Sequence, residues 1–122
     1  MKILIVKLSS IGDIIHTLPT LAAIRRALPG AEIYWAVEKK SAELLRNNPF
    51  LSGLIEIDTK SIRNKGTIGK SLLLAWKQIK QLRALRFDVA LDFQGLLKSA
   101  AIAKLSGARR RCGFEREVLR EP

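Results

Sequence analysis

Residues Ile3-Leu4-Ile5-Val6-Lys7-Leu8-Ser9-Ser10-Ile11-Gly12-Asp13 decide how the rest of this chain reads. Four consecutive apolar residues, Ile3 to Val6, suit a strand buried on both faces. A turn of small residues and then a helix follow, which is the opening of a doubly wound α/β domain. The turn carries one acid, Asp13, to the C-terminal end of the first strand, where such sheets hold their ligands. A second loop of the same placement, Asp92-Phe93-Gln94-Gly95-Leu96-Leu97-Lys98-Ser99, follows the fourth apolar run.

Outward from these loops the chain reads β-α-β-α-β-α-β-α-β. Strands are expected at Lys2–Lys7, Glu32–Val37, Leu54–Ile57, Val89–Asp92 and Arg111–Phe114. Helices are expected from Gly12 to Leu28, Ser41 to Asn47, Ser71 to Arg86 and Leu96 to Leu105. Pro19 either kinks the first helix or starts its second part. In the helix from Ser71, the residues Leu72, Ala75, Trp76, Ile79, Leu82 and Leu85 share one face, with Lys77, Lys80 and Arg83 largely opposite. Right-handed crossovers then give the strand order 3-2-1-4-5. The sheet reverses direction between strands one and four, and the crevice there is flanked by the Ser9–Asp13 and Asp92–Lys98 loops. The basic loop Lys60–Lys70 and the segment with Arg116 and Arg120 leave from the same edge, so four segments are expected to ring one site.

The chain has 122 residues, 48% of them hydrophobic, enough for one small domain with a core. One cysteine, Cys112, excludes a disulfide framework and a Cys/His zinc pattern, and a cytosolic protein is the natural reading. Lys7 interrupts the N-terminal apolar run, so the stretch does not read as a signal peptide, and no run approaches the ~20 residues of a membrane span. The net charge is +11, with +1 in residues 1–58 and +10 in residues 59–122. That asymmetry points to an anionic partner: nucleic acid, an anionic membrane surface or a phosphorylated substrate, with part of the excess simply solvated helix face. Arg116–Pro122 is neither a capped helix nor a finished strand, and the chain reads as the N-terminal part of something larger.

The turn Ser9-Ser10-Ile11-Gly12-Asp13 has one glycine and is not the G-x-G-x-x-G dinucleotide fingerprint. Asp13 is either a first-turn charge favoured by the helix dipole or a general base facing the crevice. As a base it would rely on positioning against a hydroxyl that becomes acidic as it attacks. His16, the only histidine, lies three residues on and makes a poor metal site alone. Gly66-Thr67-Ile68-Gly69-Lys70-Ser71 mimics the end of a P-loop, but Asn64 stands where its first glycine belongs. Gln94 and Lys98 open a helix at the switch point, suited to an anionic or sugar ligand, although Lys98 reads equally as a solvated cation. Lys60, Arg63 and Lys65 can bind phosphates or carboxylates. Arg109-Arg110-Arg111 can do the same or stay hydrated.

At its two loops the chain resembles the lipopolysaccharide heptosyltransferases, glycosyltransferase family 9. The matching residues are Ile3-Leu4-Ile5-Val6-Lys7, Ser9-Ser10-Ile11-Gly12-Asp13, His16-Thr17-Leu18-Pro19, Asp92-Phe93-Gln94-Gly95-Leu96-Leu97-Lys98-Ser99-Ala100 and Arg120-Glu121-Pro122. Within the family it is most similar to the members that add the first heptose to Kdo on lipid A. The resemblance implies a Rossmann-like doubly wound parallel sheet, the incomplete N-terminal domain of a GT-B glycosyltransferase. Residues 1–122 would be most of the acceptor-binding domain, and the C-terminal domain that binds the ADP-heptose donor would be missing. It implies that Asp13 deprotonates the acceptor hydroxyl, which attacks the anomeric carbon and expels ADP with inversion. Ser9, Ser10, Gly12, Gln94, Gly95 and Lys98, with Lys60, Arg63, Lys65 and Arg120, would bind the acceptor. It implies no metal and no cofactor, a polyanionic Kdo-lipid A acceptor, and a cytoplasmic protein in peripheral contact with the inner membrane. The fragment alone is expected to be inactive. Two other readings stay open: a non-catalytic anion-binding module or remnant, and a basic nucleic-acid-binding domain. No nucleic-acid motif supports the latter, and the expected partners do not include nucleic acid.

Overall fold

The computed structural model describes residues 1–57, 68–95 and 97–113. Five parallel strands form one sheet: β1 (Lys2–Val6), β2 (Glu32–Glu38), β3 (Gly53–Ile57), β4 (Val89–Asp92) and β5 (Arg110–Gly113). Their order is β3-β2-β1-β4-β5, as the sequence predicts. Among the described residues three α-helices connect them: α1 (Ile11–Ala27), α2 (Ile68–Ala84) and α3 (Leu97–Leu105). The expected helix at Ser41–Asn47 is instead a 3-10 segment over Lys39–Leu45. It makes about two tight turns after β2, with Ser41, Ala42 and Leu45 buried and the rest exposed.

β1 is the central strand, and its alternating side chains divide the core in two. Ile3 and Ile5 join Ile14 and Leu21 of α1, Ile33, Trp35 and Val37 of β2, and Ala42 and Leu45. Leu4 and Val6 join Ile55 and Ile57 of β3, Leu82 of α2, Phe87, Ala90 of β4 and Ala103 of α3. A period of two on a central parallel strand thus reads as an unbroken apolar run because both faces are covered. α1 runs unbroken through Pro19, which has no N–H to give to the preceding turn.

α2 departs from its expected face. Leu82 is buried and Ile79 and Leu85 are half-buried, but Trp76 is 57% exposed. Lys77, Lys80 and Arg83 are exposed, as expected. The helix begins at Ile68, before the predicted Ser71, and ends at Ala84. β5 covers Arg110–Gly113, while Phe114, predicted to end that strand, lies outside the described residues. Gly53 has a packing reason: a Cβ there would lie 2.8 Å from the ring of Tyr34. No helix among the described residues is long and apolar enough to cross a membrane.

Candidate functional site at the switch point

The register sets the site. Val6 pairs with Asp92 across β1 and β4, so these neighbouring strands end level and their loops leave side by side. From β4 the chain closes a short turn. Asp92 Oδ1 accepts the backbone N–H groups of Gln94 at 3.0 Å and Gly95 at 3.1 Å. Gly95 sits at φ 74°, a conformation that glycine adopts without steric cost. Asp92 is itself buried, so its carboxylate is spent on fixing this loop.

The loop then reaches across to β1. Gln94 Oε1 accepts the backbone N–H of Leu8 at 3.0 Å and of Ser9 at 3.3 Å. Phe93 N–H donates to Val6 O at 3.0 Å, and Lys7 Nζ donates to Phe93 O at 3.3 Å. From the other side, Trp35 Nε1 donates to Lys7 O at 2.9 Å, and Glu38 N–H donates to Leu8 O at 3.1 Å. The turn leaving β1 is therefore bonded to β2 and to the β4 loop at once. Each such bond contributes about 0.5–1.5 kcal/mol net, and together they remove the freedom of the segment that enters α1.

Asp13 stands on the exposed first turn of α1. Ser10, the residue before the helix, makes no side-chain cap; its Oγ donates instead to Asp13 Oδ2 at 3.2 Å. Thr17 Oγ1 donates to the Asp13 carbonyl at 2.8 Å. The peptide between Ser9 and Ser10 is cis. The space beside Gly12 is open, since a Cβ built there meets nothing within 4 Å. His16 is exposed on the same helix. A hydrogen-bonded carboxylate at a helix start, next to open space and above a fixed turn, can accept a proton from a hydroxyl brought to it.

Of the residues expected to line the crevice, Ser9, Ser10, Gly12, Asp13, Gln94 and Gly95 come together on these two adjoining loops. Gln94 has a more specific place than expected, because its amide oxygen is committed to the β1–α1 turn. Lys98 lies on α3, but its side chain, like Lys60, Arg63, Lys65, Arg116 and Arg120, lies outside the described residues. The described part of the predicted ring of four segments is thus these two loops. Asp92 is the residue that sequence reasoning passed over. Its signal was an acid closing a strand two residues before the amide it would cap, the spacing of an Asx turn.

Comparison with known proteins bears on the fold that carries these loops. The model of glycosyltransferase family 9 (heptosyltransferase) matches residues 75–120. Lipopolysaccharide heptosyltransferase 1 of Pseudomonas aeruginosa is 37% identical over 124 residues, spanning 100% of this chain and 34% of the relative. The protein of the same name from Escherichia coli K12 is 32% identical over 123 residues, spanning 100% and 38%. The solved structure of E. coli heptosyltransferase WaaC with ADP superposes with a TM-score of 0.85 at 32% identity, over 100% of this chain and 38% of that one. A family 9 glycosyl transferase from Veillonella parvula shares the fold, with a TM-score of 0.81 at 22% identity. The chain spans a little over a third of the length of the curated relatives named here. Its parallel sheet flanked by helices is Rossmann-like and matches the N-terminal GT-B domain of the heptosyltransferase structures. Family model, relatives and solved structures thus agree on one match for this chain: glycosyltransferase family 9, heptosyltransferase I-like, over a partial, N-terminal-like region.

Proposed function

We propose that the protein carrying this chain transfers heptose from ADP-heptose to the Kdo of Kdo-lipid A, with inversion at the anomeric carbon. Residues 1–122 supply most of the acceptor-binding domain in this reading, and the remaining length of such an enzyme supplies the donor-binding domain. The observation that carries it is the exposed carboxylate of Asp13, bonded to Ser10 and set on a turn that Gln94 fixes. The relatives named for heptose transfer, and the solved relative that holds ADP, support the reaction class and the donor.

In this mechanism the acceptor hydroxyl enters the open space beside Gly12 and gives its proton to Asp13 as it attacks. The new C–O bond forms at the anomeric carbon from the face opposite the ADP oxygen, and ADP leaves with the electron pair. The turn at Ser9 and Ser10 and the loop at Gln94 and Gly95 form the walls of the acceptor site. Lys98, Lys60, Arg63, Lys65 and Arg120 hold its carboxylates and phosphates. The net charge of +11 draws a polyanionic glycolipid and supports peripheral contact with the cytoplasmic face of the inner membrane.

The test is Asp13→Asn in the complete enzyme, assayed with ADP-heptose and Kdo-lipid A. Turnover is lost while acceptor binding survives; near-normal turnover overturns the role of Asp13. The 122 residues on their own transfer no heptose, and any ADP-heptose-dependent product from them would refute the division into two domains.

A further inference from the structure

The opposite edge of the sheet holds a second feature, unrelated to the switch point. Where β4 and β5 begin, Arg83, Arg86, Phe87, Asp88, Ser106, Gly107 and Arg109 line an open cavity of about 500 Å³. The lining brings three arginines and one aspartate to the same concavity. We propose that this cavity is an anion site that takes a phosphate group, separate from the acceptor crevice.

Cations at this edge have an ordinary use, because α2 and α3 both end here and present carbonyls and the negative ends of their dipoles. Most of those carbonyls already have donors. Leu105 O accepts from Arg83 Nε at 3.0 Å, and Ile102 O and Lys104 O accept from the N–H groups of Ser106 and Gly107. Ala103 O accepts from Ser106 Oγ at 2.6 Å. At the end of α2, Leu82 O and Arg83 O accept from Leu85 and Arg86 N–H, and Leu85 O accepts from Lys2 Nζ at 2.9 Å. Asp88 is also occupied: its Oδ2 accepts the Lys2 N–H at 2.8 Å.

Arg86 and Arg109 are left over. Their guanidinium groups have no hydrogen-bond or ion-pair partner among the described residues, although their backbones are fixed. Arg86 turns the chain at φ 54° and donates its N–H to Arg83 O, and Arg109 donates its N–H to Phe87 O. Arg83 is held at Nε, which leaves its terminal nitrogens free to donate. Three forks on fixed backbones around one concavity match the several acceptor oxygens of a phosphate. Their three positive charges outweigh the single carboxylate and two partial helix charges of roughly one half each.

The experiment uses the full-length protein with arginine side chains labelled for NMR. The Arg86 and Arg109 Nε–H signals are assigned by their loss in Arg86→Gln/Arg109→Gln. Inorganic phosphate, added at constant ionic strength, shifts both signals saturably in the millimolar range. The same double variant weakens phosphate binding by ~10-fold or more, because hydrogen bonds to charged groups are lost. Asp88→Asn keeps the acceptor for Lys2 and tightens binding roughly threefold by removing a negative charge. Heptose transfer by the double variant is unchanged, which separates this site from the proposed function. Vesicles with and without phosphatidylglycerol identify the source. Vesicle binding that falls in the double variant and is displaced by phosphate marks a lipid headgroup; vesicle binding that is unaffected marks a soluble phosphate ester. Arg86 and Arg109 signals that do not move in tens of millimolar phosphate overturn the proposal. So does equal weakening by Lys77→Gln/Lys80→Gln, which removes the same charge from α2 away from the cavity.

Discussion

The two ends of one sheet use their polar groups differently. At the C-terminal ends of β1 and β4, Asp92 and Gln94 are consumed in holding loop backbone, and Asp13 is the carboxylate that the arrangement leaves exposed. At the N-terminal ends of β4 and β5, the backbone is closed by Lys2, Asp88 and Arg83, and Arg86 and Arg109 in the cavity lining remain. A group that is spent on structure and a group that is left over look alike in sequence. They separate only when hydrogen bonds are traced atom by atom.

Substitutions on each side can break that distinction. Asp13→Asn has the largest effect: a general base contributes about 10²–10⁴-fold, so turnover falls by that factor while the thermal midpoint stays nearly unchanged. A large fall in the midpoint would put Asp13 among the structural groups. Asp92→Ala moves both readouts. It orphans two loop N–H groups, costs about 1–3 kcal/mol in a denaturant titration, and lowers kcat because the Gln94 side chain loses its placement. Unchanged kcat per folded molecule would show that the loop holds its shape without this bond.

Asp88→Ala sharpens the contrast from the other edge. It removes the acceptor of the Lys2 N–H and costs about 1 kcal/mol of stability, with turnover per folded molecule unchanged. The smallest effect belongs to Trp76→Ala. At 57% exposure this side chain is worth under about 0.5 kcal/mol, whereas Trp35, fully buried and bonded to Lys7 O, costs about 3–5 kcal/mol when cut to alanine. Paired thermal melts of the two tryptophan variants measure the difference directly.

The strand order was legible because β1 to β4 are short, largely apolar and bounded by turn residues, and because parallel crossovers have one hand; β5, Arg110–Gly113, is polar and exposed and follows from its place after α3. Trp76 shows where that legibility stops. Spacing places it on the stripe with Ile79 and Leu82, but spacing does not state how wide a stripe the sheet covers; here Leu82 is buried and Ile79 only in part. The same limit applies at Lys39–Leu45, where buried residues are too closely spaced to tell a 3-10 turn from a short helix. At the candidate site, the loops and Asp13 could be read from residue type and position. The use of Gln94 could not, because its partners Leu8 and Ser9 lie 86 and 85 residues away along the chain. The arginine cavity was also hidden: the run Arg109-Arg110-Arg111 stood out in sequence, while Arg83 and Arg86 reach Arg109 only through the fold.

The central place of β1 has a consequence for synthesis. Of the five strands β1 is made before the others and can pair with β2 early, but its other edge waits for β4, whose first residue, Val89, comes 51 positions after Glu38. At ~5–20 residues per second that wait lasts roughly 3–10 s. For that time a strand with four consecutive apolar residues, Ile3 to Val6, presents an unpaired edge, the kind of surface that other nascent chains can join. Slow codons between β2 and β4 would lengthen the exposure and lower the soluble yield, and a chaperone acting on the nascent chain would be needed most within this window.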